Sequence, residues 1–333
     1  MLILDMKFFE NEIFNIKDEK SFEKIALEVF NFQCRENVIY NNYIQYLKID
    51  PANITCLKNI PFLPISLFKT QKIATGNYIP DLIFRSSGTK DIADRSIHFV
   101  KDSAIYEKSF LSAFKLFYGD IENYCILALL PSYFENKNSS LIYMINCLIE
   151  KSQNNNSSFY LYNTKELYDK LVEMENENQK TILIGVSFAL IDFADKYPLK
   201  LKNTIVIETG GMKGKRKELT KEELHNFLKD KFSLESVHSE YGMTEILSQA
   251  YSKENGLFYC PPWMKILIRE INDPFSISME EQTGGINIID LANIYSCSFI
   301  ETKDLGRSHA NGSFEVLGRI DNSDLRGCNL LIE

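Results

Sequence analysis

Residues 181–209, TILIGVSFALIDFADKYPLKLKNTIVIET, decide the fold. The runs TILIGV and TIVIET are rich in aliphatic and β-branched residues, as strands are, and the segment between them carries apolar residues at helical spacing. A strand, a helix and a second strand in that order make a parallel crossover. The same rhythm extends both ways along the chain. Upstream lie a helix from Ser103 to Phe117, the apolar run YCILALLP, a helix near 139–150, the strand-like FYLY and a helix after Thr164. Downstream a helix opens at Thr220, with Glu223 three residues on completing a capping box, and LESVHSEY follows. The fold class is therefore α/β, with a parallel sheet flanked by helices.

The outer regions read differently. Residues 21–48 read as helical, with Ser21 as the cap and Phe22, Ile25 and Val29 on one apolar face. From Pro51 to Pro64, prolines and short apolar clusters predict an extended connector. QNNNSS at 153–158 is a polar connecting loop. From Met264 onward GGINIID, IYSCSFI and GSFEVLGR predict a smaller β-rich portion.

Composition narrows the function. The chain has 333 residues, 45% apolar and 25% charged, which predicts a folded chain of about two units. Lys plus Arg number 37 against 45 for Asp plus Glu, giving a net charge of −8, so a nucleic-acid partner is not expected. Seven cysteines without a C-x-x-C pair fit reduced thiols in the cytoplasm. The opening MLILDMKFFENEIF is broken by Asp5 and Lys7 and does not read as a secretory signal. No apolar run approaches the roughly 18 residues that span a bilayer.

Parallel sheets bind ligands at the carboxyl ends of their strands, which directs attention to the loops after Phe84, Thr209 and Glu240. The first, Phe84-Arg-Ser-Ser-Gly-Thr-Lys90, gathers hydroxyl and backbone donors suited to phosphate; by itself it is equally a plain turn. The second, Ile207-Glu-Thr-Gly-Gly-Met-Lys-Gly214, sets paired glycines at a strand end, where a flat ring or a phosphate can approach the backbone. Lys215-Arg-Lys217 follows, either meeting negative charge or lying in solvent beside a helix. The third, Tyr241-Gly-Met-Thr-Glu245, places an aromatic ring, a hydroxyl and a carboxylate within one turn, a compact kit for ATP and Mg²⁺. Glu301-Thr-Lys-Asp-Leu-Gly-Arg307 and Leu317-Gly-Arg-Ile-Asp321 complete the set.

In this order SSGT, YGMTE, TKDLGR and LGRID resemble the motifs of the adenylate-forming superfamily, which includes acyl-CoA synthetases, adenylation domains and luciferases. Within it, FRSSGT, HFVKDSAIYEKSF, ETGGMKGKRKELT, SEYGMTE, CPPWM, DLGR and RGCNLL resemble the acyl-protein synthetase family of bacterial fatty-acid reductase complexes. The resemblance spans most of the chain. It implies the large domain of an adenylate-forming enzyme over 1–317, with layered sheets flanked by helices, then a short hinge and tail over 318–333.

The resemblance also implies a reaction: ATP, with Mg²⁺, activates a long-chain fatty acid as its acyl-adenylate. Residue by residue, Ser86, Ser87, Gly88 and Thr89 would hold the β- and γ-phosphates, Thr244 the α-phosphate and Glu245 the Mg²⁺. Tyr241 and the Gly210-Gly211 turn would sandwich adenine, Asp304 would accept the ribose hydroxyls with Arg307 beside it, and Asp321 would mark the hinge. The acyl group would pass to Cys328 and then to an acyl-CoA reductase-like partner, which makes Thr244, Glu245 and Cys328 the catalytic set.

The chain also departs from the superfamily pattern. Lys90-Asp91-Ile-Ala-Asp94 replaces the second Thr-Gly and the Pro-Lys of the phosphate loop, and Lys303 stands where the pattern has glycine. The small C-terminal domain, with its adenylation lysine, is expected to be missing after Glu333, leaving Lys90, Lys215, Arg216 or a partner subunit to supply the cation. Cys328 is either the acyl carrier on a flexible arm or, beside Asn329-Leu-Leu-Ile332, a packed thiol. Cys34, Cys125, Cys147 and Cys297 lie in apolar runs and read as buried. Trp263 and Cys260 line a channel or, more simply, form a core turn; His238 shapes the site or fills the core. Two other functions compete: a phenylacetate-type CoA ligase, whose acceptor is free coenzyme A, and a nucleotide-binding scaffold subunit.

Overall fold

The computed structural model describes residues 9–86, 95–131, 136–210, 219–278 and 280–320. Its helices are α1 (Glu19–Glu36), α2 (Val38–Tyr46), α3 (Leu67–Thr70), α4 (Ser103–Tyr118), α5 (Ser140–Ser152), α6 (Thr164–Asn176), α7 (Ser187–Lys196) and α8 (Lys221–Phe232). The strands are β1 (Leu63–Pro64), β2 (Leu82–Arg85), β3 (Ile97–Val100), β4 (Cys125–Leu129), β5 (Ser158–Phe159), β6 (Thr181–Gly185), β7 (Thr204–Glu208), β8 (His238–Tyr241), β9 (Ala250–Ser252), β10 (Phe258–Tyr259), β11 (Met264–Arg269), β12 (Thr283–Asp290), β13 (Phe299–Ser308) and β14 (Phe314–Arg319). The chain forms two compact units. One comprises Met1–Pro80, Ser96–Lys101 and Pro262–Glu333; the other comprises Asp81–Arg95 and Asp102–Pro261.

The second unit is the crossover sheet that 181–209 foretells. β5, β4, β6, β7 and β8 run parallel in that order, and β9 and β10 continue the sheet antiparallel. Every residue of β4 and β6 is buried, because helices cover both faces of a parallel sheet. Leu127, Leu183 and Val206 pack with Leu190 and Phe193 of α7 and Leu228 and Phe232 of α8. Thr220 and Glu223 form the reciprocal capping box that starts α8. FYLY gives only Phe159 to the two-residue strand β5, and the Tyr160 N–H makes one more bond, to the Ala128 carbonyl of β4.

The first unit carries the β-rich portion. β11, β12, β13 and β14 form an antiparallel meander, and β1 joins β13 in parallel through Leu63 and Ile300. Phe299 is ringed by Phe30 and Tyr40, with ring centroids 5.9 and 6.2 Å away. Two helices replace the single helical stretch expected over 21–48. Asp18, not Ser21, is the first cap: its carboxylate takes the Ser21 N–H, and Ser21 returns a bond to the Asp18 backbone. Asn37 then breaks the run, because its side chain accepts the Tyr40 N–H and starts a new helix. The connector from Pro51 consists of two tight turns, Pro51–Asn53 and Leu57–Asn59, before β1. Trp263 is a core residue, its indole edge-on to Phe14 at 5.0 Å.

Candidate functional site

At the carboxyl edge of the second unit's sheet, two of the candidate loops leave neighbouring strands. β7 and β8 pair in parallel with Glu208 opposite Ser239, so the chain emerges side by side at Thr209-Gly210 and at Tyr241-Gly242. The Gly210 turn is stitched down by Thr209 N–H donating to the Gly185 carbonyl at 3.1 Å and by Ser187 N–H donating to the Gly210 carbonyl at 2.9 Å. Gly210 has φ +73°, a conformation that side chains resist, and a Cβ there would meet nothing within 4 Å. The glycine thus serves backbone geometry, and among the described residues the space beside it is open.

Beneath this turn sits Glu208, a residue that sequence reading did not single out. Its carboxylate is 2% exposed and gathers donors from three elements. Oε2 accepts the Ser187 hydroxyl at 2.9 Å and the Gly210 N–H at 2.8 Å, while Oε1 accepts Lys221 Nζ at 3.0 Å. His225 Nε2 lies 3.7 Å from Oε1 and 3.2 Å from the Ser239 hydroxyl. Burial alone would raise the Glu208 carboxyl, but Lys221, His225 and Ser239 outweigh it and hold the group well below the usual carboxylate range. The signal in the sequence was a lone acid closing an apolar strand, one residue ahead of a glycine pair, with Lys221 thirteen residues on.

The strand β8 alternates its faces. Ser239 turns toward α8, while His238 stacks on Tyr118 of α4 with its Nδ1 3.3 Å from the Tyr118 hydroxyl. Burial, with Lys253 and His225 nearby, lowers the imidazole of the half-buried His238 to about 4, so it is neutral at pH 7. Glu240 is buried too; burial and the charge of Glu208 push its carboxyl up to about 8, against the pull of Lys221. A Cβ on Gly242 would fall 2.3 Å from Glu240 Oε1, which explains why glycine follows Tyr241. Tyr241 packs edge-on against Phe258 at 5.9 Å. Beyond it the Ile246 N–H closes a turn on Met243, leaving Thr244 half-buried and Glu245 buried. The Ser109–Ser248 bond of 3.0 Å ties the end of this segment to α4.

Ser86 follows β2, whose Phe84 is wedged against Tyr106 and Tyr143 and whose Arg85 N–H donates to the Asn138 carbonyl at 2.8 Å. Ser87, Gly88, Thr89, Gly211, Asp321 and Cys328 lie outside the described residues, as do Lys90, Lys215 and Arg216. In the first unit, TKDLGR lies inside β13. Asp304 Oδ1 forms an ion pair with Arg319 Nε at 3.4 Å, and Arg307 Nη2 donates to the Thr283 hydroxyl at 3.3 Å. The cysteines expected in the core are there: Cys34, Cys125, Cys147 and Cys297 are all buried.

Among the described residues no group of three or more His, Cys, Asp or Glu side chains could hold a metal ion. Mg²⁺ on a nucleotide needs only one or two carboxylates, because phosphate and water oxygens complete its octahedron. The one carboxylate of the Tyr241–Glu245 segment is that of Glu245, which is buried.

Comparison with known proteins agrees with this architecture. The family profile "Acyl-protein synthetase, LuxE" matches residues 2–333. Among solved structures, 2-hydroxyisobutyryl-CoA ligase in complex with 2-HIB-AMP and CoA superposes with a TM-score of 0.67 at 10% identity, covering 92% of this chain and 70% of that one. ATP-bound MatB from Rhodopseudomonas palustris gives 0.55 at 15% identity, over 73% of this chain and 49% of that one. The chain thus spans about half the length of MatB. At these identities the likeness is one of fold, that of adenylate-forming enzymes. A search of curated protein sequences gave no match.

Proposed function

The chain belongs to the acyl-protein synthetase (LuxE) family, and from that membership we propose that it activates a long-chain fatty acid with ATP and passes the acyl group to a protein cysteine for delivery to an acyl reductase. The observation that carries this reading is the pairing of the open Gly210 turn with the Tyr241–Glu245 segment at adjacent strand ends. It is the place where a parallel sheet receives a nucleotide.

In the first half-reaction a carboxylate oxygen of the fatty acid bonds to the α-phosphorus. The bond from that phosphorus to the bridging oxygen breaks, and pyrophosphate leaves. Two anions must meet, so donors placed where charge develops carry much of the catalysis. Thr244 is assigned to the α-phosphate, and Ser86, Ser87, Gly88 and Thr89 to the leaving pyrophosphate. Glu245 holds Mg²⁺, which neutralises phosphate charge when bound. Tyr241 and the Gly210-Gly211 turn hold adenine; Asp304 and Arg307 are assigned to the ribose. In the second half-reaction the sulfur of Cys328 attacks the acyl carbon, a thioester forms and AMP leaves, its phosphate keeping the electron pair. A thiolate is the nucleophile.

Pyrophosphate exchange into ATP across a panel of carboxylic acids tests the proposal. Exchange that depends on a long-chain fatty acid is expected, and its absence with every acid would overturn it. Cys328→Ser is expected to keep exchange while losing hydroxylamine-sensitive acyl-protein; acyl-protein persisting in that variant would remove Cys328 from the pathway. Acyl-CoA formed on adding coenzyme A, with no acyl-protein, would mark a CoA ligase instead.

A further inference from the structure

The loop after β7 and the loop after β8 are joined beneath by a chain of contacts that the proposed reaction does not itself use. Lys221, the first residue of α8, reaches Glu208 with its ammonium at 3.0 Å and places the same ammonium 4.5 Å over the Phe258 ring. Phe258 is 1% exposed and meets the Tyr241 ring edge-on, at 5.9 Å and 62°. At the other end, Glu208 grips the Gly210 N–H and the Ser187 hydroxyl. One path therefore runs Gly210, Glu208, Lys221, Phe258, Tyr241. Each link is a directional contact, a charge-assisted hydrogen bond, a cation over a ring face or a ring edge.

We infer that the Glu208–Lys221 ion pair, seated on Phe258, is a positioning device that holds the Gly210 turn and the Tyr241 ring at the separation an adenine ring requires. This rests on the proposed nucleotide reading and deepens it. Glu208 is buried while the Lys221 side chain is 31% exposed, and an ion pair of this kind contributes little net stability. What it supplies is fixed direction: the Gly210 peptide is tied to a carboxylate that cannot turn without releasing Lys221. Lys221 is thereby committed to Glu208, so it sets geometry and is not a phosphate ligand. Its placement is itself over-determined, because the Thr220–Glu223 capping box fixes the start of α8 one residue before it.

Titration calorimetry on the full chain with Mg²⁺ tests this, using MgATP and inorganic tripolyphosphate as separate probes. For Lys221→Met and Glu208→Gln, the Kd for ATP is expected to rise about tenfold, the loss of roughly one charged hydrogen bond, while that for tripolyphosphate stays within about twofold. Lys221→Arg, which keeps the pair, is expected to recover most of the ATP affinity. Ser187→Ala removes only one partner of Glu208 and provides a milder variant should the others fail to fold; it is expected to weaken ATP by about threefold. In the exchange assay the KM for ATP is expected to rise while the KM for the fatty acid does not. Equal weakening of both probes would make Lys221 a direct phosphate contact and overturn the inference. So would unchanged ATP affinity in folded variants that merely melt earlier. Wild-type protein that binds no ATP would sink the nucleotide reading as well, whereas wild-type binding with unaffected variants sinks this inference alone.

Discussion

Two glutamates, each two residues before a glycine at the end of its strand, face opposite chemical fates. Glu208 has more donors than burial can offset and stays ionised; Glu240 has burial and a neighbouring negative charge and is held protonated up to about pH 8. The consequence for stability has a definite sign. Between the ordinary carboxyl value of 4.5 and about 8, the folded chain binds the Glu240 proton and the unfolded chain does not, so stability falls as pH rises through that window. Glu240→Gln removes the titration. It is expected to unfold like wild type near pH 4.5 and to be more stable at pH 8.5 by an amount on the order of a few kcal/mol, read from urea midpoints. His238 acts in the other direction: its folded value of about 4 lies below the ordinary 6.5, so its contribution is lost as pH falls from 6.5 towards 4.

Strands and helices were legible to the extent that their causes are local. The crossover helices, the capping box at Thr220 and the parallel order follow from apolar spacing and neighbouring caps, and the structure has them. Asn37 shows what spacing misses. Its helical neighbours continue the apolar pattern without interruption, but its side chain donates to the Ser296 carbonyl, 259 residues away, at 2.8 Å, and that partner is invisible to a local window. Arg269 in β11 was overlooked for the same reason. Its guanidinium is buried against the Ile286 and Thr302 carbonyls and Asn287, and Gly285 exists to make room for it: a Cβ there would fall 2.2 Å from Nη1. Gly285→Ala must expel a buried cation from its partners and is expected to destabilise the meander by about 3 kcal/mol or more in chemical unfolding. Gly76→Ala gives a contrast. It meets no atom within 4 Å and carries only the positive-φ penalty of about 1–2 kcal/mol.

At the scale of the whole molecule, burial sorts the thiols of the six described cysteines. It pushes Cys34 and Cys297 up to about 12 and Cys125 and Cys147 up to about 11, whereas Cys56 and Cys260 are only half-buried. Native protein treated with iodoacetamide at pH 7.5 is expected to be alkylated at Cys56 and Cys260 well before the other four, which react after unfolding; mass spectrometry of the digests reads the order. Early alkylation of Cys125 or Cys147 would contradict the packing around β4 and α5.

The α/β class, the parallel alternation of strands and helices and the family resemblance were readable along the chain, because periodicity, caps and motifs depend on residues within a few positions of one another. Glu208 was not. Its meaning lies in Ser187, Gly210, Lys221, His225 and Ser239, which four separate segments bring to one carboxylate. A buried charge acquires its role from the groups that solvate it in place of water, and those groups become its neighbours only when the sheet has closed.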